Sequence, residues 1–540
     1  MRAQGRMEGN LTAGAEAAPA AGIADPPAYT LTQDQLADLE LLLSGAFTPL
    51  EEFMTDADVA AVRAARQLAD GTPFPIVVAL DVPAEAAPGR CGAAAADRLP
   101  LADPEGTPVA VLHITERTAV RTPAADGAAG RELVRLAGRV VANRELEHGP
   151  FRRLMLTPAE ARAKLGDGPV LAYATRAPLN RRQIGQLRHL SSQLRAQVLV
   201  LPLVGGLTEV VHSPQALIRT VLAAAASLPA GSLVVPVPLA PRPDAAADPD
   251  GRAREVAACA RVAAAYGATH LMADGGLPAG DEALAAAAAI PVIQSGDWAY
   301  DPRAEVWRPL ALIEAGTEME DLSADQLGDM LDSGTEIPPW FTPPAVAREL
   351  RRVRRPRSER GLVLFLTGLS GSGKSTIARD LSDVLSERSD RQVSLLDGDL
   401  VRQLLSAGLT FSRADRDLNI ARIGYVATEI ARHGGIAICA PIAPFAAPRS
   451  QVRKMVSEVG DFFLIHVATP VEVCEARDRK GLYAKARAGI IGQFTGISDP
   501  YEEPADAELV IDTSATTRTD AVAAILRLLS AGGWLSAEPQ

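Results

Sequence analysis

The sequence predicts an α/β protein of several domains, and three observations carry that expectation. The stretch from Gly361 to Thr376, GLVLFLTGLSGSGKST, reads as a buried strand, a glycine-rich loop and the start of a helix. From about Gly168 onward, apolar strands and amphipathic helices alternate, the mark of a parallel sheet covered by helices. Ahead of that alternation, residues 30 to about 165 carry one helix and several short β-type runs, the pattern of a small mixed or mostly β module.

Composition sets the outer limits. The chain has 540 residues, enough for roughly two to four domains. Its 47% hydrophobic and 22% charged residues are ordinary for a soluble globular protein. The net charge of −12 argues against a nucleic-acid partner, although a local basic pocket can still collect a small anion. Cys91, Cys259, Cys439 and Cys474 lie far apart and form no C-x-x-C pair, so neither a disulfide framework nor a zinc site is expected. No secretory or membrane-spanning run is present, so a cytoplasmic protein without a membrane partner is the expectation.

Along the chain, residues 1–28 are rich in Ala and Gly without periodicity and read as a disordered tail. Thr32 is placed to cap a helix running to Leu43, which Gly45 stops. Residues 75–82 and 109–114 are β-type. The module 29–165 gives way to an α/β domain over 166–340. There the strands are read at 170–173, 198–204, 233–237 and 270–272, and the helices at 181–194, 216–225, 252–266 and 317–333. Paired prolines and a basic run mark residues 341–360 as a linker with a solvated helix and hinge. A second α/β domain fills 361–540.

The loop fits G-x-x-x-x-G-K-[ST] on Gly368, Gly373, Lys374 and Ser375. Backbone N–H groups from Gly368, Leu369, Ser370, Gly371, Ser372 and Gly373 through Thr376 are expected to surround ATP phosphates. The positive end of the following helix adds to that field. Lys374 is expected on the β/γ-phosphates, and the Ser375 hydroxyl on Mg²⁺. The next strand ends in Asp397-Gly398-Asp399, acidic residues at the carboxyl end of a parallel strand, where ligands bind. Asp399 is the first candidate to accept a substrate hydroxyl proton, and Asp397 the second, with Asp397 also expected in the Mg²⁺ shell. Asp399 is equally well placed as a helix cap.

The runs LLDGDLVRQLL, GLTFSRADRDLNIARIGYVA, RDRKGLYAKARAG and FTGISDPYEEP resemble the adenylylsulfate (APS) kinase family in order and spacing. The resemblance implies a P-loop kinase fold with a mobile lid. It also implies transfer of the ATP γ-phosphoryl group to the 3′-hydroxyl of APS, giving PAPS for sulfate assimilation. Asp399, Arg402, Arg416, Asn419, Ile442 and Lys480 match positions that hold APS, with Phe411 and Phe494 sandwiching its adenine. Arg477, Lys485 and Arg487 match the basic lid. One stretch departs from the family: the Ser-Pro-Tyr-Arg version common there is Ala443-Pro444-Phe445-Ala446 here. An alanine offers no nucleophile, so direct in-line transfer is expected.

LELLLSGAFTPLEEFM, YGATHLM and EIPPWFTPP resemble ATP sulfurylase over roughly 31–344, implying a PUA-like β-rich module and a Rossmann-like nucleotidyltransferase domain. The family loop Q-T-R-N-P-x-H-x-x-H corresponds to Ala174-Thr-Arg-Ala-Pro-Leu-Asn-Arg-Arg-Gln183, so both histidines become amides, at Asn180 and Gln183. G-R-D-H-A-G corresponds to Asp274–Ala279 without its arginine or histidine. Asn and Gln hydrogen-bond but carry no positive charge. An inactive sulfurylase region is therefore the first expectation. A working bifunctional PAPS synthase and a nucleotide-regulated APS-binding protein are the alternatives. The expected partners are ATP and APS alone, and the resemblance implies a homo-oligomer.

Overall fold

The computed structural model describes residues 27–87, 97–121, 132–144, 149–206, 213–242, 249–274, 277–278, 280–314, 321–410 and 412–535. Residues 1–26 of the expected tail and Cys91 lie outside them. The chain forms two compact units: Met1–Lys164 with Pro238–His270 and Gly275–Val292, and Leu165–Val237 with Leu271–Asp274 and Ile293–Gln540. Among the described residues no helix is long and apolar enough to cross a membrane.

The first unit is built on a six-stranded sheet. Its long hairpin, Pro108–Arg121 against Glu132–Ala142, is antiparallel, and Leu80–Pro83 pairs with the second of these strands. The register of the hairpin shifts between Ile114 and Glu116. Gly138 sits opposite that shift at φ +141°, where a Cβ would stand 2.0 Å from the His113 carbonyl oxygen, so only glycine lets the two backbones approach. Thr32 caps the helix Gln33–Leu43 as expected, in a reciprocal box with Gln35. The β-run expected at 75–82 is a strand only over Leu80–Pro83, because the segment before it finds no continuous partner.

The second unit holds two parallel sheets. In the first, Val170–Thr175, Gln197–Pro202 and Leu233–Val234 are paired in parallel, with helices between them. The helix expected over 317–333 is confined to Ala324–Ser333, whose cap is Ser323, and 315–320 lie outside the described residues. Residues 344–353 form a helix, and the arginines after it converge on one carboxylate. Asp332 accepts from Arg354 Nε at 2.6 Å and Arg360 Nη2 at 2.7 Å. Burial alone would raise the Asp332 pKa, but the two guanidinium groups outweigh it and hold it at about 2.

In the second parallel sheet, Leu362–Thr367 is the central strand, in the order Val393–Leu396, Ile436–Cys439, Leu362–Thr367, Asp461–Val467, Leu509–Ile511. Every residue of the central strand is buried, which explains its unbroken apolar run. Leu362, Leu364 and Leu366 face a core with Ile377, Leu381 and Ile525. Val363 and Phe365 face the opposite core, with Ile420, Ile423 and Val452. Helices on both faces thus clamp the strand that carries the loop, and its carboxyl end is fixed in space.

Candidate active site

The loop Gly368–Gly373 leaves the central strand and runs into the helix Lys374–Arg388. Its turn depends on glycine at Gly368, φ +147°, where a Cβ would meet the Val467 carbonyl oxygen at 2.4 Å. The loop forms one side of a cavity of about 710 Å³, whose lining includes Asp397, Arg416, Asn419, Ile442, Lys480 and Phe494.

Lys374 is buried at 6% exposure. Its Nζ donates to the carbonyls of Gly368 at 2.9 Å and Leu369 at 2.7 Å, and to Ser372 Oγ at 3.4 Å. Burial lowers its pKa from 10.5 to about 8. A lysine whose pKa is depressed by folding contributes least to stability when charged. Its share is complete above about pH 10.5 and is lost as pH falls through about 8. Phosphates beside the ammonium restore the charged form. ADP binding is therefore expected to take up about half a proton near pH 8 and close to one near pH 9. Calorimetry in buffers of different ionisation enthalpy measures this, and proton-neutral binding there would contradict the placement of Lys374.

Asp397 faces the loop. Ser375 Oγ donates to its Oδ1 at 3.3 Å and Arg379 Nη2 to its Oδ2 at 3.0 Å. Arg379 lies one helical turn after Ser375, so both donors project from one face toward the same carboxylate. A hydroxyl and a carboxylate at this spacing are hard oxygen donors that suit Mg²⁺, which keeps most of its shell as water and substrate phosphate. Asp399 and Arg402 lie on the helix Gly398–Leu404, but their side chains, like all of Phe411, are outside the described residues.

On the other side of the cavity, Arg416 and Asn419 come from the helix Arg413–Arg432. Arg416 donates to Thr495 Oγ1 at 3.1 Å and is ion-paired with Asp499, while its guanidinium lies 5.4 Å from the Phe445 ring centroid. Asn419 is 8% exposed, and its Oδ1 has no hydrogen-bond partner among the described residues. Phe494 is buried edge-on against Tyr483, with ring centroids 5.0 Å apart, and the Tyr483 hydroxyl donates to the Ser370 carbonyl at 2.9 Å. Arg477 Nη1 reaches Thr513 Oγ1 at 2.8 Å and the Gly371 carbonyl at 3.3 Å.

Two of the expected lid cations stand away from the cavity in this conformation. Arg487 gives both arms of its fork to Glu475, at 2.9 Å each, and neither Arg487 nor Lys485 is among the lining residues. Arg379, Arg518 and Thr513 line the cavity without having been singled out from the sequence. The spacing of Arg379 four residues after Ser375 was the available signal.

The first α/β sheet presents the other loop of interest. Thr175 ends the strand Val170–Thr175, and its hydroxyl closes a tight turn with Ala177. Arg176 Nη1 donates to the Gly205 carbonyl at 3.3 Å. Asn180 caps the helix Arg181–Leu194: its Oδ1 accepts from the Gln183 N–H, and Gln183 Oε1 accepts from the Asn180 N–H, each at 3.1 Å. Asp274 meets Tyr173 Oη at 3.5 Å, whereas Gly275, Gly276 and Ala279 lie outside the described residues.

A phosphate-cradling loop on the central strand of a parallel sheet, with a buried lysine and an acidic turn facing one cavity, defines a P-loop phosphotransferase. Comparison with known proteins makes this specific. Family models match in chain order: a PUA-like domain at residues 4–124, ATP-sulfurylase at 152–353 and adenylylsulphate kinase at 360–512. The sulfate adenylyltransferases of Phaeosphaeria nodorum and Chaetomium globosum are each 37% identical to this chain, over 94% of it and 94% of their own length. A solved structure described as a hexameric APS kinase from Thiobacillus denitrificans superposes with a TM-score of 0.76 at 34% identity, covering 95% of this chain and 94% of that one. The chain belongs to the sulfate adenylyltransferase family, in the form that carries an adenylylsulphate kinase domain behind the ATP-sulfurylase domain.

Proposed function

We propose that the carboxyl-terminal domain transfers the γ-phosphoryl group of ATP to the 3′-hydroxyl of APS, giving PAPS and ADP. The observation that carries this reading is one cavity with two different sides. The phosphate loop bounds the first, and Arg416, Asn419, Ile442 and Phe494 bound the second. Residues 368–376 hold the ATP phosphates, with Lys374 on the β- and γ-groups. Ser375 and Asp397 would hold Mg²⁺, which would supply charge neutralisation to the phosphoryl oxygens. Arg402, Arg416 and Lys480 meet the phosphosulfate, and Phe411 and Phe494 sandwich the adenine, where stacking supplies roughly 1–3 kcal/mol per base. Asp399 takes the hydroxyl proton, with Asp397 the second candidate. Arg477, Lys485 and Arg487 form the lid, and closure has to release Arg487 from Glu475. Ala443 has no hydroxyl, so transfer is in line between the two nucleotides. Omitting APS tests the assignment: ADP release is expected only with both nucleotides present, in equal amount to PAPS.

For the amino-terminal region, the relatives' name supports a second activity, joining sulfate to ATP to give APS and pyrophosphate. The inactive region expected from the sequence finds no support in those relatives, so a bifunctional chain is the reading we adopt. One observation favours the inert alternative. Asn180 and Gln183 spend their polar groups on capping a helix, and neither brings positive charge to the loop. Losing such cations commonly costs ~10²–10³ in rate for each stabilising group. Pyrophosphate release by the full chain from ATP and sulfate, sulfate-dependent and slow, is the expected outcome, measured with a coupled phosphate assay. Release no faster with sulfate than without it decides for the inert alternative. The hexameric assembly named for the Thiobacillus denitrificans protein supports self-association of this chain.

A further inference from the structure

We infer that Arg449, with Tyr501 and Glu502, is a positioning set that fixes the APS side of the kinase cavity without touching substrate; the inference rests on the kinase reading above. The lining segment Ala440–Pro444 has no regular secondary structure. Within it Ala443 sits at φ +44°, a left-handed conformation that an alanine rarely keeps unaided. Something outside the segment has to hold it, and the hydrogen bonds show what does.

Arg449 is 3% exposed and absent from the cavity lining. Its Nη1 donates to the Ala443 carbonyl and its Nη2 to the Glu502 carbonyl, each at 2.7 Å. Glu502 returns to the same segment twice. Its N–H donates to the Pro444 carbonyl at 2.8 Å, and its Oε2 accepts from the Ala446 N–H at 2.6 Å, at the start of the helix Ala446–Ser457. A carboxylate at a helix N-terminus is favoured by both the open N–H groups and the dipole. Thr367 Oγ1 lies 3.0 Å from Tyr501 Oη and donates to the Ile442 carbonyl at 2.6 Å. One planar guanidinium thus ties the left-handed residue to the Tyr501–Glu502 loop, and that loop ties back to Pro444 and Ala446. Ile442, which lines the cavity, is placed by this frame. The frame also stands where this chain has Ala443, Phe445 and Ala446, side chains that offer a ligand no hydrogen bond, so backbone placement is what the segment contributes.

Lysine cannot reach both carbonyls with a rigid fork. Arg449→Lys is therefore expected to raise KM for APS roughly tenfold while KM for ATP and calorimetric affinity for ADP stay within about twofold, because small misplacements of a binding wall act on the ligand it faces. Tyr501→Phe removes one hydroxyl and keeps the ring, and is expected to raise KM for APS about threefold, again leaving ATP unchanged. It carries the test if Arg449→Lys does not fold. Unchanged KM for APS in the folded variants, or equal rises for APS and ATP, overturns the positioning role. A wild-type chain that makes no PAPS would instead sink the kinase reading itself, and this inference with it.

Discussion

Lys374→Ala lowers PAPS formation by at least ~10³-fold, measured as kcat/KM for ATP with APS saturating. The expectation follows from how the lysine is held. Its ammonium group is buried among three acceptors of the loop, and burial already disfavours its charged form, pushing its pKa to about 8. A charge kept in such a place, at a cost the unliganded loop does not recover, makes physical sense only if a stronger anion arrives. The γ-phosphoryl group gathers negative charge on its peripheral oxygens as it is transferred, so a fixed cation acts most strongly in the transition state. Alanine leaves the loop carbonyls exposed to the same phosphates, which then repel them. Both binding and rate fall. A variant retaining rates within tenfold of wild type would remove Lys374 from the reaction.

The second large effect is at Asp397. Asp397→Asn is expected to reduce kcat by ~10²–10³-fold and to move the Mg²⁺ concentration for half-maximal rate upward by more than tenfold. The carboxylate is the meeting point of Ser375 Oγ and Arg379 Nη2, so it orients the hydroxyl that sits at the start of the helix as well as offering its own oxygens. An amide keeps the shape but loses the charge, and one of its two positions turns from acceptor to donor. A titration of Mg²⁺ at fixed ATP and APS separates this from a general loss of fold: excess metal partly rescues the variant if Asp397 holds the ion. Rates that fall without any change in metal dependence assign it a different role.

The strand-loop-helix unit was legible because its features are local. A continuous apolar run, two glycines and a lysine at fixed offsets specify one geometry, and the strand is indeed buried on both faces. The capping boxes at Thr32 and Ser323 were equally local, one singled out and one not. What could not be read came from long-range pairing. The β-run at 75–82 looks like a strand throughout, yet only Leu80–Pro83 meets Glu132–Ala142. Arg449 and Glu502 lie 53 residues apart, and nothing in either neighbourhood announces their clasp. In the first α/β sheet, the exchange of histidines for amides was visible, but the capping box that Asn180 and Gln183 form depends on where the helix begins. Arg416 was expected on the substrate, and its ion pair with Asp499, 83 residues along the chain, could not be read from either neighbourhood.

The most direct measurement follows a labelled γ-phosphate in a single turnover, with the full chain in excess over ATP and with Mg²⁺ and APS present. The label is expected to pass into PAPS at the rate at which ADP appears, with none retained on the protein at any time. Label on the protein before PAPS forms, or ADP formed without labelled PAPS, would contradict direct transfer between two nucleotides meeting in the cavity beside Lys374 and Asp397.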